Sequence, residues 1–224
     1  MLERLRSETA RMAGLVEQAV EDAVTALSRG DLDLARRTVA LDEQIDAAEI
    51  EVEKTAIDFL SLFHPAAGEF RLALMVIKVN NELERAADCA GNVAERVVAL
   101  ATEAEAAGKT YRVPGELSEL GAAVSDLVRR TVRAYNFRDA KAAEAVIVGD
   151  AAADALYFRV LQNAMVHLDG SDAGHATDGL RPGDDLTHVM IAKNLERIGD
   201  HCTNVAEDIV YIDRGQIVRH RSAV

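Results

Sequence analysis

The feature that most constrains this chain is a twelve-residue segment that occurs twice. Residues 196–207 read ERIGDHCTNVAE, and residues 84–95 read ERAADCAGNVAE, an offset of 112. Both copies place Glu, Asp, Asn and Glu at the same relative positions, the first, fifth, ninth and twelfth. At about 100° per residue, these positions fall within a stripe roughly 80° wide on an α-helix. One face of each of two helices therefore carries a row of oxygen-bearing side chains.

The duplication extends beyond this segment. After residue 183 the offset between the halves is 112, and before it the offset is 108. The change follows the Gly- and Asp-rich stretch 168–183, which replaces the shorter stretch 63–68. We interpret the difference as a four-residue loop insertion between two similar halves. The shorter offset aligns Val16 with Val124, Val20 with Val128, Val24 with Val132, Leu27 with Tyr135, Val39 with Ile147, Asp42 with Asp150 and Asp46 with Asp154.

Composition and spacing favour an all-α fold. Aromatic residues make up only 4% of the chain, there are three prolines and no Trp, and apolar residues recur at helical spacing. The sequence predicts two tandem three-helix bundles related by internal duplication. The predicted boundaries are 1–107 for the first repeat, 108–115 for a linker, 116–213 for the second repeat and 214–224 for a basic tail.

Helix ends follow from the usual stop and start residues. Gly30 is placed to end the first helix and Asp31 to cap the second, and Pro65 with Gly68 ends the second. We expect the Gly-rich loop 169–185 to be mobile and the tail to fray. The predicted helices span about 3–27, 32–63 and 69–104 in the first half, and about 116–136, 139–167 and 184–212 in the second.

Charge and cysteine usage exclude several function classes. With 38 acidic and 25 basic residues, the net charge of −13 opposes binding to a nucleic-acid backbone. The N-terminus lacks an apolar signal segment, and no apolar run approaches the roughly 18 residues of a membrane span. Cys89 and Cys202 form neither a CxxC pair nor a disulfide framework. These features predict a cytoplasmic protein with reduced thiols.

The acidic rows predict metal binding. The second helix of each half adds a pair of carboxylates one turn apart. In an antiparallel bundle, neighbouring helices can bring these pairs into register with the acidic rows, so we expect four carboxylates to converge in each half. Like charges at short range oppose folding unless a cation lies between them, and oxygen-only donors favour Mg²⁺, Ca²⁺, Mn²⁺ or iron over Zn²⁺. The candidate ligands are Glu84, Asp88, Asp42 and Asp46 in the first half, and Glu196, Asp200, Asp150 and Asp154 in the second.

A simpler interpretation stays open. The acidic rows can be solvated outer faces whose charges pair with Arg85, Arg197, Lys78 or Lys193.

Other candidate residues point away from catalysis. A di-iron oxidase needs Glu-x-x-His on its bundle helices, whereas His201 lies five residues after Glu196 and its counterpart is Cys89. We interpret His201 as an interfacial or surface residue and Gly199 as a site of close helix packing. His64 and His167 lie near the ends of the second helices, where a cap-like role is the simpler interpretation. No nucleophile elbow, phosphate-binding loop or Ser/His/Asp arrangement occurs, so no catalytic or cofactor-binding residue is predicted.

The doubled motif and the duplicated three-helix plan resemble the PhoU family of phosphate-uptake regulators over essentially the whole chain. The resemblance implies a cytoplasmic protein that restrains the phosphate-starvation response, acting between the ATPase of the phosphate ABC transporter and a sensor histidine kinase. It also implies metal clusters on the acidic motifs, and it leaves a homodimer open. Ala86 and Ala87 stand where the second copy has Ile198 and Gly199, which makes the two sites unequal.

A function of another class remains as the alternative. The same carboxylate rows would suit a metal-dependent hydrolase or oxidase. Turnover of phosphoesters or consumption of oxygen by metal-loaded protein separates such an enzyme from a signalling adaptor.

Overall fold

The computed structural model describes residues 1–168 and 182–214. These residues form seven α-helices and no strand, which confirms the all-α prediction. The helices are α1 (Leu2–Arg29), α2 (Leu32–Ala40), α3 (Asp42–Phe63), α4 (Ala67–Ala106), α5 (Gly115–Phe137), α6 (Ala140–Leu168) and α7 (Pro182–Arg214).

The first helix ends as its sequence predicts. Gly30 adopts the left-handed conformation with φ 63°, and its N–H donates to the carbonyl of Ala26. Asp31 then caps α2, because its side chain accepts a hydrogen bond of 2.9 Å from the N–H of Leu34. The chain therefore reverses direction within a few residues, which sets α1 and the helices that follow it side by side.

The predicted second helix, 32–63, is wrong as one continuous element. It is interrupted at Leu41, which separates α2 from α3. The Thr38 hydroxyl donates to the carbonyl of Leu34 at 3.0 Å, a contact that bends helices. The acidic residues Asp42 and Glu43 follow directly and favour the start of a new helix. The counterpart α6 runs without a break, so the two halves contain four and three helices.

The core confirms the duplication. The aligned pairs Val16 with Val124, and Val20 with Val128, are all buried. These positions lie on α1 and α5, which pack directly against each other. A Cβ added at Gly121 of α5 would lie 3.0 Å from Val24 of α1, so the small residue allows close contact there. The two halves thus share one continuous apolar core.

The longest helices of the two halves also meet. Helix α4 packs along α7, and each of these helices carries one copy of the acidic motif. Most of the predicted loop 169–185 and of the basic tail lies outside the described residues. Within the described part of the chain, no helix combines the length and apolarity that a transmembrane span requires.

Replacing a core valine by an acid tests this packing. Val20 is 1% exposed, so Val20→Asp places an unpaired charge in the shared core. We expect a loss of unfolding free energy on the order of 4 kcal/mol in urea denaturation. Gln18→Asp, an exposed position on the same helix, is the matched control and should change stability little. Equal stability of the two variants would mean that the Val20 face is solvated.

Candidate functional site

The first acidic site lies on the hairpin formed by α3 and α4. Its predicted residues are Asp42 and Asp46 on α3 and Glu84 and Asp88 on α4. Burial raises the pKa of Asp42, and the charges of Asp46, Asp88 and Glu95 raise it further. Burial likewise raises the pKa of Glu84, with Asp88 as the next cause. The structure therefore brings the two predicted carboxylate pairs into one electrostatic cluster.

Sequence reasoning missed one member of this site. Burial and neighbouring carboxylates, including Asp46 and Asp88, raise the pKa of Glu49, and Glu49 in turn acts on Glu84. Glu49 lies three residues after Asp46 and so shares its helix face. Duplication does not mark Glu49, because its counterpart in the second half is Tyr157. We include Glu49 in the first acidic site from here on.

The second acidic site consists of Asp150 and Asp154 on α6 with Glu196 and Asp200 on α7. Burial raises the pKa of Asp150 to about 6, helped by the charges of Asp154, Asp200 and Glu196. Burial is also the main cause that raises the pKa values of Asp154 and Asp200, with Glu196 next for both. All four predicted residues therefore interact, as in the first half.

Gly199 leaves the space that the Asp150 side chain occupies. A Cβ at Gly199 would lie 2.7 Å from Oδ1 of Asp150, closer than two such atoms approach without movement. The prediction of close packing at Gly199 therefore holds, and the group that approaches is a carboxylate of the site itself. The first copy has Ala87 at this position, so the first site cannot hold Asp42 in the same way.

The two acidic sites differ in the cationic side chains that lie beside them. Lys193 Nζ lies 2.6 Å from Glu196 Oε2 and 5.5 Å from the centre of the Tyr157 ring. Asn81 occupies the corresponding position in the first half. Lys78, another cation considered for the rows, instead lies 3.6 Å from Asp208. Among the described residues, none of the predicted ligands other than Glu196 forms an ion pair, and Asp42, Asp46, Asp88 and Asp200 are exposed. These carboxylates therefore face solvent and are mostly not paired with a cationic side chain.

The donor chemistry of both sites suits a hard cation. The donors are carboxylate oxygens only, and burial, followed by repulsion from neighbouring carboxylates, raises the pKa values of Asp42 and Asp150. As the side chains stand, no group of three or more His, Cys, Asp or Glu residues within the described ranges is arranged to hold a metal ion. Metal binding therefore requires these carboxylates to rotate towards a common centre.

His201 belongs to the contact between the halves. It is 9% exposed, and its Nδ1 lies 2.8 Å from Oε2 of Glu82 on α4. The Asn204 amide donates to the same oxygen at 2.9 Å. Burial acts to raise the pKa of Glu82, but the hydrogen bonds from His201 and Asn204 outweigh it and lower that pKa overall. His201 is thus interfacial, as its position in the sequence predicts.

The other residues discussed from the sequence lie apart from the sites. His64 ends α3 in the left-handed conformation with φ 43°, and the side chain of His167 lies outside the described residues. Cys89 and Cys202 are buried free thiols. Burial raises the pKa of Cys89, and it raises that of Cys202 to about 12. At neutral pH neither thiol is a ready nucleophile.

The raised pKa of Asp150 makes the stability of metal-free protein depend on pH. The unfolded carboxyl ionises near its ordinary value of 3.8, whereas the folded one holds its proton up to about 6. Protonated Asp150 therefore makes its full contribution to the free energy of unfolding below about pH 4, and this contribution is lost as the pH rises through about 6. After allowance for solvent screening of this partly exposed group, the loss is about 1–2 kcal/mol.

In the presence of chelator, Asp150→Asn should therefore raise the melting temperature at about pH 7.5. The variant should also show a smaller increase in melting temperature than the parent as the pH falls from 7.5 to 5. The measurement is thermal unfolding by circular dichroism across this range. Glu105→Gln, at an exposed position near the end of α4, is the control and should keep the parent profile. An Asp150→Asn profile parallel to that of the parent would show that Asp150 is ionised throughout.

Comparison with known proteins agrees with this description. The family model described as "PhoU domain" matches residues 9–97 and again residues 117–209. A "Phosphate-specific transport system accessory protein PhoU homolog" of Zymomonas mobilis is 37% identical over 222 residues, covering 97% of this chain and 87% of the relative. A homolog of the same description from Aquifex aeolicus is 31% identical over 224 residues, covering 98% of this chain and 94% of the relative.

Solved structures give the same result. The crystal structure of PhoU from Pseudomonas aeruginosa superposes with a TM-score of 0.85 at 32% identity, covering 96% of this chain and 98% of that one. The phosphate transport system regulatory protein PhoU from Streptococcus pneumoniae shares the fold, with a TM-score of 0.81 at 21% identity over 97% of both chains. The two domain matches coincide with the two halves seen in the sequence. The chain therefore belongs to the PhoU family.

Proposed function

We propose that this protein is a negative regulator of the phosphate-starvation response and of phosphate uptake. It acts in the cytoplasm as an adaptor between the ATPase of the phosphate ABC transporter and a sensor histidine kinase. The observation that carries the proposal is family membership over both halves, with relatives named as accessory proteins of the phosphate-specific transport system.

An adaptor role is favoured over an enzymatic one by the chemistry of the sites. Both cysteine thiols are buried and protonated at neutral pH, and the carboxylate groups lie on helix faces. A hydrolase or oxidase needs a positioned nucleophile or an activated metal-bound group. Nothing in the geometry of the described residues favours that alternative, so the protein acts by presenting surfaces to its partners.

Exposed apolar residues occur at repeat-related positions and supply such surfaces. Ile50 on α3 is 62% exposed, and its counterpart on α6, Phe158, is 60% exposed. Ile57 and its counterpart Met165 are also exposed, as are Leu74 and its counterpart Leu186. Scattered apolar residues are ordinary on protein surfaces, but the same positions are exposed and apolar in both halves. We assign these positions to partner binding.

The acidic sites add a metal-dependent element to the adaptor. We propose that divalent or trivalent ions (iron, Mg²⁺, Mn²⁺ or Ca²⁺) bind to the first and second acidic sites. A bound cation neutralises carboxylates that otherwise repel one another and joins α3 to α4, or α6 to α7. In the second site, Lys193 already pairs with Glu196, so the ion there competes with an internal cation.

The adaptor proposal predicts a phenotype. Deleting the gene should leave phosphate-starvation genes expressed when phosphate is plentiful, because the restraint between transporter and kinase is gone. Purified protein should recover the transporter ATPase or the kinase in a pull-down and should not bind promoter DNA. Ile50→Glu and Phe158→Glu should weaken the recovery, whereas Gln44→Glu, an exposed polar position on α3, should not.

Two results would contradict the adaptor proposal. The first is normal repression of these genes in the deletion strain after a second gene copy has been excluded. The second is robust hydrolysis of phosphoesters, or oxygen consumption, by metal-loaded protein that is lost in Glu196→Ala. That second outcome would favour the metal-dependent enzyme instead.

The metal proposal predicts bound metal in the purified protein and a change in melting temperature on chelation. Elemental analysis should find bound metal in purified protein, with less in Asp88→Ala or Asp200→Ala and an unchanged amount in Glu105→Ala. Chelation should lower the melting temperature, because an ion that binds only the folded state stabilises it. Asp88→Ala should reduce this shift more than Asp200→Ala, since the first site has no internal lysine. Equal melting with and without chelator would identify the rows as solvated faces.

A further inference from the structure

A cavity of about 340 Å³ lies where the first turns of α1 meet α4 and the end of α5. None of its lining residues belongs to either acidic site, and they come from both halves of the chain. Its floor is apolar and comes from α4, with Leu72 and Met75 both 7% exposed and Val76 1% exposed. Two arginines, Arg6 and Arg138, stand on its walls. The volume falls at the lower end of the roughly 300–1,000 Å³ of small-molecule sites.

Arg138 adopts a backbone conformation that disfavours an arginine. It ends α5 with φ 52°, in the left-handed region. The repeat-related residue at the end of α1 is Gly30, with φ 63°, which has no Cβ to clash there. The second half thus places a long cation where the first half has the residue best suited to the turn. A strained residue retained beside a cavity points to a role for its side chain.

Arg6, which lies on α1 across the cavity, also indicates that the cavity side chains have a binding role. Its Nη1 lies 2.7 Å from Oε1 of Glu3, a carboxylate whose side chain is 84% exposed. Its Nε is buried and finds no hydrogen-bond partner among the described residues. Burial lowers the pKa of Arg138, and the nearby charge of Arg6 lowers it further. The charge of Glu3 acts in the opposite direction and offsets part of this repulsion. The buried Nε of Arg6, which has no partner among the described residues, favours a further anion between the two arginines.

The position that corresponds to Arg138 is Gly30 at the end of α1, and the side chain of Tyr111 covers it. A Cβ at Gly30 would lie 3.1 Å from the Tyr111 ring, and Tyr111 in turn lies 6.2 Å, centre to centre, from His188. His188 is the repeat counterpart of Val76 on the cavity floor. An aromatic ring therefore occupies the corresponding place in the other half, where it lies against His188 in place of a valine.

We propose that this cavity binds a small organic anion. Its phosphate or carboxylate head pairs with Arg6 and Arg138, and its apolar body rests on Leu72, Met75 and Val76. Ser7 and Asn136 also line the cavity and offer neutral hydrogen bonds to the head. Glu3 competes with the ligand for Arg6.

Calorimetric titration of the full-length protein tests the proposal. The probes are phenyl phosphate and benzoate, with inorganic phosphate and benzyl alcohol as headgroup-only and body-only controls. We expect one saturable site for at least one aryl anion and weaker binding of both controls. The tighter of the two aryl anions identifies the head. Arg138→Gly and Arg6→Gln should each weaken binding at least about tenfold, and Glu3→Gln should strengthen it.

Matched variants separate binding from folding. Arg138→Gly restores the residue of the first half, so its melting temperature should equal or exceed that of the parent while binding is lost. Arg133→Gln, an exposed position on α5 outside the cavity, should bind as the parent does. The proposal is overturned by no saturable binding of either aryl anion up to about 10 mM. It is also overturned by unchanged affinity in Arg138→Gly, or by binding of benzyl alcohol or inorganic phosphate as tight as that of the aryl anions.

Discussion

The packing of α4 along α7 is the constraint on which both acidic sites depend. Each of these helices is buried on one side by small and branched residues, such as Ala90 and Val93 on α4 and Val205 and Ala206 on α7. The opposite sides carry the carboxylates and meet α3 and α6. Burial of the apolar sides stabilises helices whose charged sides repel. The chain can therefore hold two clusters of carboxylates that repel one another because its core is shared by both halves.

The internal duplication explains why most of the helices could be predicted from the sequence. Helical spacing of buried residues such as Val16 and Val124 identifies a helix in each half. Because the two copies align at a constant offset, each predicted helix supports the prediction of its counterpart. The break at Leu41 escaped this reasoning because no Gly or Pro marks it, and the Thr38 hydroxyl bond that accompanies the break is visible only in the structure. Glu49 escaped because the repeat has Tyr157 there, so a search for repeated ligands passed over it. Departures from the repeat were the features that the sequence alone could not assign.

The cavity escaped for a different reason. Arg6 and Arg138 lie far apart in the chain and belong to different halves, and neither matches a residue of its own kind in the repeat. Arg138 corresponds to Gly30, and only the observed backbone angle gives that substitution a meaning. Local patterns predict helices and faces, whereas a site assembled from three helices depends on how those helices pack. Tertiary geometry was needed to bring the two guanidinium groups to one cavity.

Departures from the repeat also make the two acidic sites respond differently to the loss of a cation. The first site has five carboxylates, counting Glu49, and no internal lysine. In the second site, Lys193 neutralises part of the charge of Glu196, and Asp150 holds a proton until the pH exceeds about 6. A proton and a lysine are both substitutes for a metal ion, since each relieves the same repulsion. The second site therefore has two ways of lowering its charge without metal, and the α3–α4 hairpin depends more strongly on an external cation.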